Sequence, residues 1–160
     1  MAKKKISIVT PTFNEESNVT NIYNQIRVIF DSLKHYEYEH IFIDNNSNDD
    51  TTKILKNICK KDKKIKLIIN SRNFGPVRST FYGNLQATGD AVIHIVADLQ
   101  DPPELIPSFI KKWEDGFDVV AAIKTQSEEP PLIFVIRKIY YNLISRISDV
   151  DLLKNFTGFG

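Results

Sequence analysis

The chain has 160 residues, 42% of them hydrophobic, enough for one domain with a core of its own. A formal net charge of +1 with 26% charged residues excludes nucleic-acid binding driven by bulk charge. One cysteine, Cys59, excludes an internal disulfide and suits a reducing compartment. Met-Ala-Lys-Lys-Lys runs straight into a strand pattern with no signal-like apolar segment. No apolar run reaches the roughly 18 residues of a spanning helix. The expectation is a soluble, cytoplasmic chain, which leaves work at the inner face of the cell membrane open.

Ile6–Thr10 is a short, largely β-branched run stopped by Pro11, the pattern of a buried strand. Over 17–33, Val19, Ile22, Tyr23, Ile26, Ile29, Phe30 and Leu33 have helical spacing with one apolar face. Glu39–Asp44 reads as a second strand, Asn45–Asp50 as a polar loop, and Thr51–Lys60 as a helix striped by Ile54, Leu55, Ile58 and Cys59. Ile65–Ile69 is a third strand and Arg72–Gly75 a turn; Pro76 opens the next helix and Gly89 closes it. Ala91–Ala97 is a fourth strand, Glu104–Trp113 a helix, and Phe117–Ile123 a fifth strand. After Thr125–Pro131 the pattern changes to a broad apolar helix over Leu132–Ser148 that carries Arg137, Lys138 and Arg146. The domain division read from this is a core over 1–125 and an amphipathic helical segment over 126–160 that stops incomplete.

Alternating strands and helices, with strands apolar nearly throughout, predict an α/β fold: a mostly parallel central sheet with helices on both faces. Such sheets bind ligands at the carboxyl ends of their strands, where strand order reverses. The polar motifs at 11–16, 44–47, 72–75 and 98–101 all follow strands, so the topology should gather them at one edge. The stretch from His94 to Glu104 is the most telling, an apolar strand that ends in Asp98, Gln100 and Asp101 before a helix that starts on prolines. Carboxylates at a strand end beside a helix start are where an α/β fold places a divalent cation and a phosphorylated ligand. With the loops after Pro11 and Asp44, this points to an enzyme that handles a nucleotide sugar.

The blocks Val9–Glu16, Ile43–Thr51, Arg72–Gly75, Gly83, Gly89–Asp90 and Ala97–Glu104, in that order, resemble the catalytic domain of family 2 glycosyltransferases. Within that family the chain looks most like the polyprenyl-phosphate branch, which includes dolichol-phosphate mannosyltransferases and bactoprenol glucosyltransferases. The resemblance implies the GT-A fold, a nucleotide-diphosphate-sugar donor and an inverting transfer. Several positions depart from the family pattern. Phe13 replaces a common tyrosine, Asn45 and Asn46 replace an acid and a glycine, and Val96 stands where many members carry the first carboxylate of Asp-x-Asp. Thr157–Gly160 lacks the acid and arginine often found there.

A leaving diphosphate accumulates negative charge. Asp98, with Gln100 or Asp101 alongside, would hold magnesium or manganese, which hard oxygen ligands favour over zinc, to stabilise it. Asp98 and Asp101 are thus the candidate catalytic acids, and Asp98 and Gln100 the candidate metal ligands. The plainer reading is a carboxylate capping the helix after Pro103, and it weighs more on Asp101. Asp44 can accept the imide N–H of uracil, which implies a uridine donor, or form an Asx-turn, or do both. Asn45 and Ser47 are read as turn formers. Pro11, Phe13 and Glu15 offer an apolar ring for the base and a carboxylate for the ribose. Packing under the loop and favourable charge at a helix start are the alternatives. Arg72, Asn73 and Gly75 form a turn at a helix N-terminus that could meet a phosphate. The resemblance implies that Lys124, after the fifth strand, approaches the diphosphate. Arg78, where relatives often carry a small residue, is read as surface or a local ion pair, and His94 as core.

No residue stands out as a general base. A phosphate acceptor needs none, being ionised already, whereas a sugar hydroxyl must lose a proton. The leading reading is sugar transfer to polyprenyl phosphate, with segment 126–160 beginning the acceptor side and its basic apolar helix against the membrane surface. The alternatives are a saccharide acceptor in cell-surface polysaccharide synthesis and a non-catalytic nucleotide-sugar-binding module. Apolar residues on more than one side of 132–148 add an expectation of homo-oligomers, and no nucleic-acid partner is expected.

Overall fold

In a computed structural model of the protein, the structure describes residues 3–123, Tyr140 and Phe159. The chain divides into two compact units, Met1–Val120 with Phe159–Gly160, and Ala121–Gly158. The first carries the sheet and its helices. Its elements are β1 (Lys4–Thr12), α1 (Val19–Ser32), β2 (Tyr36–Asp44), α2 (Thr51–Lys61), β3 (Ile65–Ile69), α3 (Pro76–Gln86), β4 (Ala91–His94), a 3-10 turn (Pro103–Leu105) and α4 (Ile106–Glu114). Apart from Tyr140 and Phe159, the expected segment over 126–160 lies outside the described residues, as do Lys124, Arg137, Lys138 and Arg146.

All strand pairs are parallel and the order is β3-β2-β1-β4. The chain steps outward from β1 to β3, then returns to the other side of β1, so the reversal in strand order falls between β1 and β4. Parallel pairing at the centre of a covered sheet demands strands apolar on both faces. Accordingly Ile6, Ile8 and Val9 of β1 and Ile41, Phe42 and Ile43 of β2 are all fully buried. One face packs on α1, where Phe30 stacks on Tyr38 with ring centroids 4.3 Å apart. The other face presents Val9, Ile41 and Ile43. There α3 lies close because Gly83 has no side chain: a Cβ at that position would overlap the Val9 and Ile43 side chains. Phe159 returns to this unit and packs edge-on against Phe109, 4.7 Å between centroids.

Several expected boundaries differ: β1 runs through Pro11 to Thr12, β2 begins at Tyr36 rather than Glu39, and a 3-10 turn over Pro103–Leu105 precedes α4. α3 ends at Gln86 rather than Gly89. The next residues are held elsewhere: Thr88 N–H donates to Glu39 Oε1 at 2.7 Å and Gly89 N–H to Ser7 Oγ at 2.9 Å. β4 ends at His94 instead of Ala97, although the Ile95 N–H still donates to the Val9 carbonyl at 3.1 Å. Phe117–Ile123 is not a fifth strand; only Ile123 makes an isolated bridge. A strand exists through its ladder, and β4, the edge that would supply one, is four residues long. Phe117 and Val119 are left 54% and 83% exposed.

At the amino ends of the strands sits a polar node that apolar periodicity does not reveal. Glu39 is buried, accepts from Ser7 Oγ at 2.6 Å, and pairs with Lys66 at 2.6 Å and Lys5 at 3.2 Å. Burial by itself would raise its pKa, but hydrogen bonds from Lys66, Ser7 and Thr88 outweigh it and hold the carboxyl well below the ordinary range. His40, fully buried and 2.9 Å from Thr10 Oγ1, is pushed down by desolvation to about 3.

Both groups hold fewer protons folded than unfolded, so stability is full above the unfolded histidine value of 6.5 and falls as pH drops below it. The fall should steepen below the ordinary glutamate value of 4.5, where Glu39 joins. Urea midpoints measured against pH should show both parts, and His40→Gln should flatten the upper one. His94, also lowered by burial, should leave a smaller residual slope. Gly89→Ala should lower stability by about 1–3 kcal/mol in urea unfolding, the cost typical of overpacking. Its Cβ would stand 2.7 Å from the Lys5 carbonyl oxygen and 2.8 Å from the Ser7 nitrogen.

Candidate active site

The loops after β1 and β2 are tied together by side chains that bond to each other's backbone. Asn14 N–H donates to Ser47 Oγ and Asn48 N–H to Asn14 Oδ1, both at 2.9 Å. Glu15 N–H donates to Thr51 Oγ1 at 2.8 Å, and Asp50 N–H to Glu16 Oε2 at 2.9 Å. Asn14 and Asn46 have φ of 56° and 62°. Asparagine tolerates this left-handed region better than most residues, which accounts for Asn46 where the family pattern has glycine.

Asp44 is fully buried beneath this pair of loops. Its Oδ2 accepts the Ser47 N–H at 2.9 Å and its Oδ1 the Ser47 hydroxyl at 2.5 Å, the Asx-turn arrangement. Fully buried, the carboxylate presents no surface to a base in this arrangement. Its neighbour Asn45 does more than form a turn. The Asn45 Oδ1 accepts from Ser79 Oγ at 2.5 Å, Asn70 Nδ2 at 3.0 Å and Phe74 N–H at 3.4 Å. It thereby joins the end of β2 to the turn after β3 and the first turns of α3. A backbone N–H can only donate, so the Phe74 contact identifies the atom as the oxygen.

Over the reversal in strand order opens a cavity of about 250 Å³, lined by Pro11, Thr12, Phe13, Glu15, Asn45, Asn73, Pro76, Val96, Ala97 and Asp98. Complete small-molecule pockets run to about 300–1,000 Å³, and this cavity falls just below that range. A cavity of about 350 Å³ beside β4, lined by residues such as Ile93, Phe109 and Trp113, lies at the open sheet edge, away from these loops.

Of the residues singled out from sequence, Pro11, Phe13, Glu15, Asn73 and Asp98 meet in the cavity wall. Gly75 stands beside it as the N-cap of α3, with φ 83°. Arg72 is exposed outside it, its guanidinium 4.7 Å from the centre of the Phe74 ring. Gln100 and Asp101 do not line it. Asp98 does not cap the helix start: its Oδ1 accepts the Gln100 N–H at 3.1 Å. Thr12 and Asn45 are wall residues that sequence reading did not assign to a ligand; a polar residue at a strand end looks like any turn former until the neighbouring loops are in place.

Among the described residues no three His, Cys, Asp or Glu side chains cluster to hold a metal. The wall supplies two carboxylates, Glu15 and Asp98. Glu15 also accepts from Asn18 Nδ2 at 2.8 Å, so it serves the start of α1 as well. Magnesium in nucleotide enzymes takes one or two carboxylates and completes its shell with phosphate oxygens and water. The donor set fits a cation carried in with a diphosphate; it does not fit an all-protein cage. Val96 offers no ligand atom.

Asn45→Ala should strand the Ser79, Asn70 and Phe74 donors and lower stability by about 1–3 kcal/mol, the usual cost of unpaired buried polar groups. Asn45→Asp, which keeps an acceptor at the same place, should lose less, with urea unfolding as the measurement.

Comparison with known proteins bears on the same residues. The family model for glycosyl transferase family 2 matches residues 7–156. The prophage bactoprenol glucosyl transferase homolog of Escherichia coli K12 is 38% identical over 156 residues, 97% of this chain and 51% of that protein. The bactoprenol glucosyl transferase of Shigella phage SfX is also 38% identical, over 97% of this chain and 51% of its own length. The chain thus spans about half the length of these relatives. Among solved structures, glucosyl-3-phosphoglycerate synthase of Mycobacterium tuberculosis, in complex with Mn2+ and UDP, superposes with a TM-score of 0.60 at 22% identity, covering 89% of this chain and 50% of that one. Staphylococcus aureus TarS in complex with UDP-GlcNAc gives 0.55 at 21% identity, covering 76% and 38%. With the GT-A fold shared and a family match that takes in every loop around the cavity, this chain belongs to glycosyl transferase family 2.

Proposed function

We propose that the chain is the donor-binding part of an enzyme that moves a sugar from a uridine-diphosphate sugar to polyprenyl phosphate, with inversion, at the cytoplasmic face of the membrane. The observation that carries this reading is the cavity over the reversal in strand order, where Phe13, Glu15, Asn73 and Asp98 meet beside the start of α3. The names of the bactoprenol glucosyl transferase relatives support the acceptor. The UDP and Mn2+ of the structural neighbours support the donor and the cation. Residues 1–125 would form the donor half, and 126–160 would begin the acceptor half.

In this reading the Phe13 ring, 41% exposed, gives the uracil a flat apolar surface. Glu15 takes the ribose hydroxyls, and Asn73 with the N-terminus of α3 faces the diphosphate. Asp98 would hold a magnesium or manganese ion, which when bound supplies Lewis-acid stabilisation of the leaving group. An acceptor phosphate oxygen attacks the anomeric carbon, and the bond to the diphosphate oxygen breaks with its electron pair leaving on UDP. Attack from the opposite face inverts the anomeric centre. A phosphate acceptor brings its own negative charge. The cavity wall contains no histidine; buried His40 and part-buried His94 both have their pKa lowered by desolvation.

Val96 and the turn-bound Asp44 favour a second reading, a module that binds nucleotide sugar without turning it over. Calorimetric titration with UDP, with and without manganese, followed by incubation with UDP-glucose and polyprenyl phosphate, separates the two. Metal-dependent UDP binding with glycolipid formation supports the enzyme, and binding without product supports the module. Absence of UDP binding rejects both. Asp98→Asn should cut transfer about 100-fold or more while leaving metal-free UDP binding nearly unchanged.

A further inference from the structure

We infer that the outer face of α3, together with the adjoining edge strand β3, is a docking surface for an anionic lipid bilayer. α3 buries Ser79 and Gly83 against the sheet. On its far side, about 200° around at 100° per residue, run Val77, Phe81 and Leu85. These are 80%, 64% and 65% exposed. Large apolar residues at i, i+4 and i+8 are the spacing of a buried face, yet here they face outward. An exposed apolar stripe on a helix, here with the single basic residue Arg78 beside it, is surface that can lie in a membrane interface.

Charge decides the kind of partner. From Lys63 to Gly89 the sequence has no acidic residue and five basic ones, Lys63, Lys64, Lys66, Arg72 and Arg78, of which Lys64 sits over the Tyr38 ring on the α1 side of the sheet. Lys66 is neutralised by Glu39, whereas Arg78 is exposed and makes no ion pair among the described residues. Beside the stripe lies a groove of about 390 Å³ walled in part by Ile69, Phe74, Arg78 and Tyr82, so apolar surface, an aromatic hydroxyl and a guanidinium meet at one place. A second copy of this chain on the same face would set basic residues against basic residues with no acid to pair them. An anionic leaflet supplies the opposite charge and a deformable apolar layer at once.

The surface adjoins the candidate site, because Pro76, the first residue of α3, lines the cavity. The inference stands on α3 itself. Its link to the proposed transfer is that docking there would bring the cavity to the layer in which a polyprenyl phosphate resides.

Flotation of the chain with vesicles of phosphatidylcholine and phosphatidylglycerol in equal parts, against phosphatidylcholine alone, is the test. The wild type should bind the anionic vesicles preferentially. The triple variant Val77→Ser, Phe81→Ser, Leu85→Ser should bind about tenfold more weakly or worse. Arg78→Ser should weaken binding to the anionic vesicles about fivefold and leave the neutral ones unaffected. The altered side chains are exposed, and circular dichroism should show an unchanged fold. Equal vesicle binding by wild type and triple variant overturns the inference. So does a wild-type dimer in sedimentation, dissolved by the triple variant, without vesicle binding. Transfer to a short-chain polyprenyl phosphate in detergent should survive the double substitution Phe81→Ser, Leu85→Ser, which leaves the first turn of α3 untouched. Loss of transfer in the wild type with vesicle binding intact would reject the proposed reaction and leave the docking surface standing.

Discussion

The structure depends on β1, a strand hydrogen-bonded in parallel on both sides, to β2 along nine residues and to β4 along four. Parallel pairing sends every strand end the same way, and a central strand with neighbours on each side marks where the order reverses. The loop after β1 is therefore enclosed by the loops after β2 and β4. A site made of residues from 11 to 98 exists because parallel pairing brings the carboxyl ends of β1, β2, β3 and β4 to one edge. The cost is a central strand with no polar face to water, met by Ile6, Ile8 and Val9 and by the buried pairing of Thr10 with His40.

The two ends of the sheet use polar groups differently. At the amino end, Glu39 is saturated by Ser7, Thr88, Lys5 and Lys66, and its work is to pin the chain between α3 and β4. At the carboxyl end, Asp44 and Asn45 shape the loops, while Glu15 and Asp98 keep carboxylate surface in the cavity wall. A charge with all its partners inside the fold stabilises the fold. One left partly open at a strand end is available to a ligand.

Much of this was legible in the residues. Strand and helix identities over 4–114 follow from periodicity, because burial on one or two faces imposes it. The family resemblance already named the cavity residues Pro11, Phe13, Glu15, Asn73 and Asp98. Less legible were features that depend on a neighbour. Phe117–Ile123 has a strand's composition but no ladder to join. Gly89 looked like a helix stop, whereas it is a close approach to the backbone of β1. Val77, Phe81 and Leu85 have the spacing of one helix face, and nothing local says that this side faces away from the sheet.

By itself the sequence determined the parallel α/β class, the family and the loops from which a ligand site would be built, because apolar period and motif order are properties of the chain. Tertiary structure alone decided that Asp44 is enclosed by its own turn, that Asn45 couples β2 to α3, and that Arg72 lies outside the cavity. Each of those outcomes turns on which polar atom finds a partner across separate loops, and that is settled only when the sheet has brought the loops together.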